Sequence, residues 1–455
     1  MSGSIISVNQ ASSVHSVTSL EELRASRGAC LRRISVSANL REVPEEIRAH
    51  ASHVEFLDLS NNQLTELPEW FETLTCLKIL FLSYNQFAEM PEVLGRCRSL
   101  RMLGMRNNIL TRITDGSFPS TLEWLTLTNN RLEEMPESIG ALSTLKKLLL
   151  AGNKLTALPS SMSELTALEL IRLSANRFEA FPEWLLQLPS LAWVALAGNP
   201  AVSSGTSSKL EALDWNSLDV KEELGRGASG TTYRACLARG EELAVKLFSS
   251  SVSSDGATID EVASAVHAGS HRNLVSTLAA ITGHPEGREG LVLRLIPPTF
   301  KNLAGPPSFE TCTRDVFNST ESLSEAQVVR YAHDIASAAA HLHKRGIVHG
   351  DLYAHNILVD EHRALLSDFG AACLYGGCAK VSPDLLERIE VNAFGILLQE
   401  LLHLVPSDRQ GEVSGEIRAL FSTCVAPDVS NRPSFADVEQ QLSRIRVQSI
   451  GHVTV

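Results

Sequence analysis

Residues 348–358 read VHGDLYAHNIL, and residues 365–370 read LLSDFG. They place His349, Asp351 and Asn356 in the spacing H-x-D-x-x-x-x-N. Asp368 follows twelve residues after the asparagine. A lone carboxylate is usually a solvated surface group, whereas polar side chains in this order on two apolar stretches indicate one functional site.

A glycine-rich stretch lies upstream of this pair. Residues 224–235 read LGRGASGTTYRA, and the apolar strand ELAVKLF that follows at 242–248 carries Lys246. Glycines in a G-x-G-x-x-G loop let backbone N–H groups approach phosphates without a Cβ in the way. The loop alone could also be an ordinary glycine-containing hairpin, so its meaning comes from its order with the later motifs.

In this order the motifs resemble the eukaryotic-type protein kinase domain over residues 216–446. The resemblance implies a small, mainly antiparallel sheet with one helix, a larger helical lobe, and ATP between them. Ser324 and Gln327 predict a capping box before the amphipathic stretch AQVVRYAHDIASAAAHLH, which we expect to be a core helix of the large lobe.

The resemblance also implies ATP and Mg²⁺ as cofactors and assigns catalytic roles. Lys246 would hold the α- and β-phosphates and pair with an acidic residue on the next helix. Glu261 is our choice, because it precedes HRNLV at 271–275 by about the usual distance. The poorer candidates are Glu241, Glu242 and Asp260.

By the same resemblance Asp351 would accept a hydrogen bond from the substrate hydroxyl, while Asn356 and Asp368 would ligate Mg²⁺. Ala244 and Thr232 would cover the adenine. The implied nucleotide-binding residues are Leu224, Gly225, Arg226, Gly227, Ala228, Ser229, Gly230, Thr232, Ala244 and Lys246.

The first half of the chain is an internal repeat. Asparagines recur at 39, 62, 85, 108, 130, 153, 176 and 199, within the pattern L-x-x-L-x-L-x-x-N-x-L. This is the spacing of a leucine-rich repeat, and we assign residues 31–200 to it. One copy has no core of its own, so neighbouring copies must stack.

Strand positions that point away from the core form a row across the repeats, and in solenoids this concave surface usually binds a partner. The row reads Phe56, Ile79, Met102, Trp124, Lys147, Leu170 and Trp193. An exposed row this apolar predicts a protein partner. The alternative is that the kinase domain or its linker covers the row.

The catalytic motifs depart from the family pattern in several places. Gly350 replaces the usual Arg before Asp351, and Tyr353 replaces a Lys that serine/threonine kinases normally carry near the γ-phosphate. The short segment after DFG ends in SPD at 382–384, where Asp384 could still pair with Arg432. Two functions therefore stay open: an active kinase, expected to be serine/threonine-specific, and a weakly active or pseudokinase scaffold.

Net charge, cysteine spacing and hydropathy limit which kinds of partner and which cellular location we expect. The 455 residues carry a formal net charge of -12, which argues against nucleic acid as a partner. Eight cysteines are scattered without metal spacing, and the sequence shows neither a secretory signal nor a membrane segment. We expect a cytoplasmic protein with no membrane insertion.

The predicted fold class is therefore multidomain, with a leucine-rich-repeat α/β solenoid followed by a two-lobed, kinase-like α+β domain. The predicted organisation is a flexible N-terminal segment at 1–30, repeats at 31–200, a linker at 201–215, a kinase domain at 216–446 and a tail at 447–455.

Overall fold

The computed structural model describes residues 16–451 except 27–29, 203–210, 228–229, 250–252, 254 and 377–379. The chain forms two compact units, Met1–Arg131 and Leu132–Val455. Some predicted features lie outside the described residues: Ala228 and Ser229 of the glycine loop, residues 1–15 and 27–29, residues 203–210 of the linker, and residues 452–455 of the tail.

The first unit is built from short parallel strands, one in each repeat, with one short helix near its start. Its elements are β1 (Ser16–Val17), α1 (Leu20–Ala25), β2 (Arg33–Ser35), β3 (Phe56–Asp58), β4 (Ile79–Phe81), β5 (Met102–Gly104) and β6 (Trp124–Thr126). The central residues Leu57, Leu80 and Leu103 pair in register and are buried. Alternate strand positions thus build the core, as the leucine spacing predicts.

Buried asparagines join successive repeats. Asn85 donates from Nδ2 to the carbonyls of Leu59 and Leu82 at 2.9 and 3.1 Å, and its Oδ1 accepts from the N–H of Leu64 at 2.9 Å. One side chain therefore satisfies backbone groups of two neighbouring repeats. Asn39 begins the series in the sequence but forms none of these bonds among the described residues. The backbone N–H groups of Ala38 and Leu40 on either side of it both donate to Asn62.

Proline begins the return segment of most repeats. A short helix follows each of six prolines, at Glu45–His50, Glu69–Thr73, Glu92–Arg96, Glu137–Ala141, Ser160–Glu164 and α2 (Glu183–Leu186). All but α2 are 3₁₀ helices. Proline suits this place because its φ is preset and its missing N–H would have no helical partner.

The second unit opens with three parallel repeat strands, β7 (Lys147–Leu149), β8 (Leu170–Arg172) and β9 (Trp193–Ala195). A small lobe follows, whose six-stranded sheet has the order β10-β14-β15-β13-β12-β11. Its elements are β10 (Ala212–Asp214), β11 (Leu218–Arg226), β12 (Gly230–Leu237), β13 (Glu242–Phe248), α3 (Thr258–Ala268), β14 (Thr277–Thr282) and β15 (Gly290–Arg294), with a 3₁₀ turn at Trp215–Ser217. All pairs are antiparallel except β10 with β14.

The rest of the second unit is a mainly helical large lobe. Its elements are β16 (Lys301–Asn302), α4 (Glu325–Lys344), β17 (Ile347–Val348), β18 (Ile357–Val359), β19 (Ala364–Leu366), β20 (Cys373–Leu374), α5 (Pro383–His403), α6 (Glu412–Cys424) and α7 (Phe435–Gly451), with 3₁₀ turns at Ala354–Asn356, Ser407–Arg409 and Val429–Asn431. The predicted capping box is confirmed, because Ser324 and Gln327 bond each other's backbone at the start of α4. Within the described part of the chain, no helix is both long and apolar enough to cross a membrane.

The asparagine bonds give a stability prediction for the first unit. Asn85→Ala would leave the Leu64 N–H and two carbonyls buried without this partner, so we expect a loss of about 2–4 kcal/mol. Hydrogen exchange of peptides from β3 to β5 measures this loss of stability in the first unit alone. Gln86→Ala removes an exposed amide next in sequence and is the control. Equal protection in the two variants would contradict the assigned role.

Candidate active site

A cleft of about 560 Å³ lies between the small-lobe sheet and the large lobe. It is lined by all the described residues of the predicted nucleotide site: Leu224, Gly225, Arg226, Gly227, Gly230, Thr232, Ala244 and Lys246. A Cβ at Gly230 would overlap the carbonyl oxygen of Leu247, so packing requires this glycine. Gly225 and Gly227 face open space, which leaves room for a ligand at the loop.

Two lobes meet at Lys246 on β13. Its Nζ lies 2.6 Å from Glu261 Oε1 on α3 and 3.2 Å from Asp368 Oδ1 in the large lobe. Burial disfavours the ammonium charge, but the Asp368 and Glu261 carboxylates outweigh it and raise the Lys246 pKa. The structure thus brings together a permanent cation and two acids that are 122 and 15 residues away in sequence.

Asp368 lines the cleft and offers its carboxylate oxygens there, whereas Asn356 is buried and is not among the lining residues. The Asp368 side chain is 42% exposed, and its Oδ1 also accepts from the Gly370 N–H at 3.1 Å. Although burial raises the pKa of Asp368, Lys246 and the Gly370 N–H hold it below the ordinary value, so this group stays an anion. Among the described residues no three His, Cys, Asp or Glu side chains gather as a metal cage. Mg²⁺ does not need one, because it commonly takes one or two protein oxygens together with phosphates and waters, and this donor set fits it.

Hydrogen bonds from the side chains of Asn356 and His349 hold the loop that carries Asp351. Asn356 donates from Nδ2 to the carbonyl oxygen and to Oδ2 of Asp351, both at 2.9 Å. His349 is buried and donates from Nε2 to the Ser367 carbonyl at 3.0 Å, just before Asp368. These contacts fix the relative position of the two motifs read from the sequence.

Glu390 on α5 anchors the same loop from below. Its carboxylate accepts from the N–H groups of His349 and Gly350 at 3.2 and 2.6 Å and lies 2.7 Å from His343 Nε2. Burial alone would raise the Glu390 pKa, but the contacts with His343 and the Gly350 N–H keep it below its ordinary value. A buried carboxylate with three donors is compensated, so it can organise a loop without neutralising.

The repeat strands β8 and β9 also reach this loop. Arg172 donates to Asp351 Oδ1 and, at 2.9 Å, to the Gly350 carbonyl, and its Nε lies 3.0 Å from Asp255. The ring of Trp193 stacks on Tyr353 with centroids 4.2 Å apart and planes at 7°. The loop that carries Asp351 is thus packed against residues of the repeat region.

The apolar row across the repeats is not the exposed stripe that the sequence predicts. Phe56, Met102, Leu170 and Trp193 are buried, and Ile79, Trp124 and Lys147 are only partly exposed. In the first unit Arg33 lies 3.8 Å above the Phe56 ring. In the second unit the kinase-like region covers Trp193, as the alternative prediction states.

The suggested pair between Asp384 and Arg432 is also wrong within the described residues. Arg432 donates to the carbonyls of Ala426, Arg388 and Pro189 at 2.9, 3.2 and 2.6 Å, while Asp384 lies exposed in the first turn of α5. Backbone oxygens rather than a carboxylate compensate this buried guanidinium. Burial accordingly lowers its pKa to about 10.

Sequence reasoning missed Arg172 as part of this site. One feature of the sequence could have pointed to it: Gly350 and Tyr353 occupy two positions near Asp351 where the family usually has a cationic residue. An arginine at an outward strand position could have been weighed as their replacement. Nothing in the spacing, however, says which of the repeats would reach the loop.

Comparison with known proteins agrees with this geometry. The protein kinase domain family matches residues 218–388, and the leucine rich repeat family matches residues 31–87, 98–155 and 143–200. The range matched by the protein kinase domain family includes the glycine loop, Lys246, Glu261, Asp351, Asn356 and Asp368.

Several relatives are similar to this chain. The serine/threonine-protein kinase mos of Gallus gallus is 30% identical over 295 residues, which cover 52% of this chain and 83% of that protein. The serine/threonine/tyrosine-protein kinase HT1 of Arabidopsis thaliana is 34% identical over 97 residues, 18% of this chain and 25% of HT1. The probable serine/threonine-protein kinase gdt4 of Dictyostelium discoideum is 29% identical over 223 residues, 44% of this chain and 13% of gdt4. The chain thus spans most of mos but a quarter or less of the other two.

The loop anchor gives a second stability prediction. Glu390→Ala would leave two buried N–H groups and His343 without their carboxylate, so we expect a loss of about 3–5 kcal/mol. Asp384→Ala removes an exposed acid from the same helix and should cost less than about 1 kcal/mol. Denaturant midpoints of the two variants test this difference, and similar midpoints would refute it.

Proposed function

Because this chain belongs to the protein kinase family, with leucine-rich repeats ahead of its kinase domain, we propose that it transfers the γ-phosphoryl group of ATP to serine or threonine hydroxyls of proteins. The observation that carries the proposal is the contact of Lys246 with both Glu261 and Asp368 across the cleft. The named serine/threonine kinases among its relatives support the choice of substrate hydroxyl.

In this proposal the chain's residues position groups rather than form covalent bonds with them. Lys246, oriented by Glu261, holds the α- and β-phosphates, and the glycine loop covers them with backbone N–H groups. Asp368 and the amide oxygen of Asn356 would hold Mg²⁺, whose charge would offset that of the phosphates. Ala244 and Thr232 cover the base.

Asp351 orients the acceptor and takes its proton. The hydroxyl oxygen forms a bond to the γ-phosphorus while the bond from that phosphorus to the β–γ bridging oxygen breaks, and ADP leaves with the electron pair. Asn356 donates to the Asp351 carboxylate at 2.9 Å and so limits its rotation. Glu390 keeps the loop backbone in place.

We also propose a protein partner for the repeats and a cytoplasmic location. Ile79 and Trp124 keep partial exposure in the first unit and are the contact we propose for that partner. Cys30, Cys76, Cys97, Cys236 and Cys424 are free thiols, which supports a reducing compartment. The domain bounds of 31–200 and 216–446 belong to the same proposal.

A scaffold that acts through binding is the second candidate. One observation favours it: both carboxylate oxygens of Asp351 already accept hydrogen bonds, from Arg172 and Asn356. Under this alternative Asp351→Asn would leave the cellular effect of the protein unchanged, whereas under the kinase proposal it would abolish that effect.

The central test is phosphate transfer by the full chain. With Mg²⁺ and γ-labelled ATP we expect label on dephosphorylated casein or on the protein itself. Asp351→Asn should reduce kcat by about 10²–10⁴-fold, the range for a positioned acid or base, because its amide cannot accept the proton. A fluorescent ATP analogue should bind both proteins alike. Nucleotide binding with transfer that is measurable and equal in the wild type and Asp351→Asn would refute the proposal.

Acceptor specificity is a separate prediction. Acid hydrolysis of the labelled protein should release phosphoserine and phosphothreonine. Tyr353 takes the place of the lysine usual in serine/threonine kinases, so this measurement bears directly on that departure. Phosphotyrosine as the main product would overturn the serine/threonine assignment and leave the kinase assignment intact.

A further inference from the structure

Arg172 lies at Asp351, the carboxylate that the proposed function assigns to accept the proton of the substrate hydroxyl. The Arg172 side chain is 3% exposed and the Asp351 side chain 18%. The Arg172 guanidinium donates a hydrogen bond to Oδ1 of Asp351, and the Asn356 amide donates one to Oδ2. A substrate hydroxyl must come within about 2.6–3.2 Å of this carboxylate, so at Oδ1 it would compete with the Arg172 guanidinium for the same space.

The neighbouring residues of the catalytic loop are covered as well. Trp193 stacks on Tyr353 and donates from Nε1 to the Leu352 carbonyl at 3.1 Å. Gly350 has a φ of 74°, and a Cβ there would overlap the Val194 carbonyl oxygen and lie 2.8 Å from that of Ala371. The arginine that the family usually has at this position could not fit under β9. The glycine is thus matched to the repeat strand above it.

Contacts continue outward over the large lobe. Glu169 accepts from the hydroxyl of Thr313 and lies 3.1 Å from Arg314 Nη1. On the other side Asn392 donates to the carbonyls of Ser190 and Leu191 at 3.2 and 3.0 Å. Arg432 adds its bond to the Pro189 carbonyl. The repeat residues therefore cover a continuous area around Asp351.

The nucleotide side of the same site is different. The cleft is lined by residues from 224 to 369, and none belongs to the described repeats. The Lys246–Glu261 pair is formed at 2.6 Å in the same structure. The nucleotide half is assembled and open while the acceptor half is covered.

Because the cleft is open while Asp351 is covered, we propose that the repeats containing strands β8 and β9 hold the kinase domain in an autoinhibited state. They do so by filling the place of the protein substrate. The inference rests on the proposed function and adds its regulation. Undocking of the repeats exposes Asp351 and also breaks the contact of Arg172 with Asp255 just before α3, while the Lys246–Glu261 pair itself contains no repeat residue. A ligand of the repeats that competes for Trp193 or Arg172 would activate the enzyme.

The opposite role for Arg172 makes a different prediction. If its guanidinium replaced the cations missing at Gly350 and Tyr353, it would assist transfer and its removal would lower the rate. Under autoinhibition its removal raises the rate. The sign of one measurement therefore separates the two roles.

The experiment compares full-length variants on dephosphorylated casein with Mg²⁺ and ATP. Arg172→Ala should raise kcat/KM for casein by about tenfold or more, the shift that loss of one buried charge contact gives to a two-state equilibrium. Trp193→Ala removes the stacked ring and its hydrogen bond to Leu352 and should change kcat/KM in the same direction. Binding of a fluorescent ATP analogue should stay the same. Arg177→Ala removes an exposed arginine of the same repeat and should match the wild type.

A charge exchange tests the interface without touching Asp351. Glu169→Arg places two cations together and should activate, whereas Glu169→Arg combined with Arg314→Glu restores opposite charges and should return the rate toward that of the wild type. Hydrogen exchange of residues 349–353 should rise only in the activated variants. Thermal unfolding and nucleotide binding identify any variant that does not fold.

The outcomes separate the two proposals. Autoinhibition is overturned if folded variants phosphorylate casein no faster than the wild type does. Provided that transfer still depends on Asp351, this result leaves the kinase function standing. Absence of Asp351-dependent transfer in the wild type and in every folded, ATP-binding variant overturns the kinase function and with it this inference.

Discussion

The guanidinium of Arg172 is a buried charge that touches both lobes of the kinase domain. It pairs with Asp255 just before α3, and with Asp351 and the Gly350 carbonyl in the large lobe. Burial of an arginine costs several kcal/mol unless its donors are satisfied. Burial opposes its charge, but Asp351 and Asp255 outweigh burial and raise its pKa. The position of two repeat strands is therefore tied to the position of the lobes.

This constraint explains an unusual catalytic loop. Gly350 has no side chain because β9 passes directly above it, and Tyr353 presents a flat ring on which Trp193 can stack. Glu390 then supplies, from the buried helix α5, the anchor for the loop backbone. Residues that look like losses when compared with the kinase family become complementary surfaces once the repeats are in place. The same packing separates an open cleft beside Lys246 from a covered Asp351, and the proposed regulation rests on this separation.

Much of the fold and of the nucleotide site could be predicted because the signals are local. Leucine and asparagine spacing repeats in each copy, since each copy makes the same contacts with its neighbours. The capping box of Ser324 and Gln327 is a contact over three residues. The order of the glycine loop, Lys246 and Asp368 identifies the cleft, although these residues are far apart in the chain, because the family pattern supplies the pairing.

The sequence by itself determined the repeat register, the two-lobed architecture, and the acids and cation at the cleft. Only the tertiary structure decided what faces Asp351, because the Arg172 contact joins residues 179 positions apart that belong to different motifs. It also decided that Arg432 bonds to carbonyls rather than to Asp384, and that Trp193 is buried rather than exposed. Periodicity tells which side of a strand a residue occupies, but the surface that packs against that side depends on how separate parts of the chain come together.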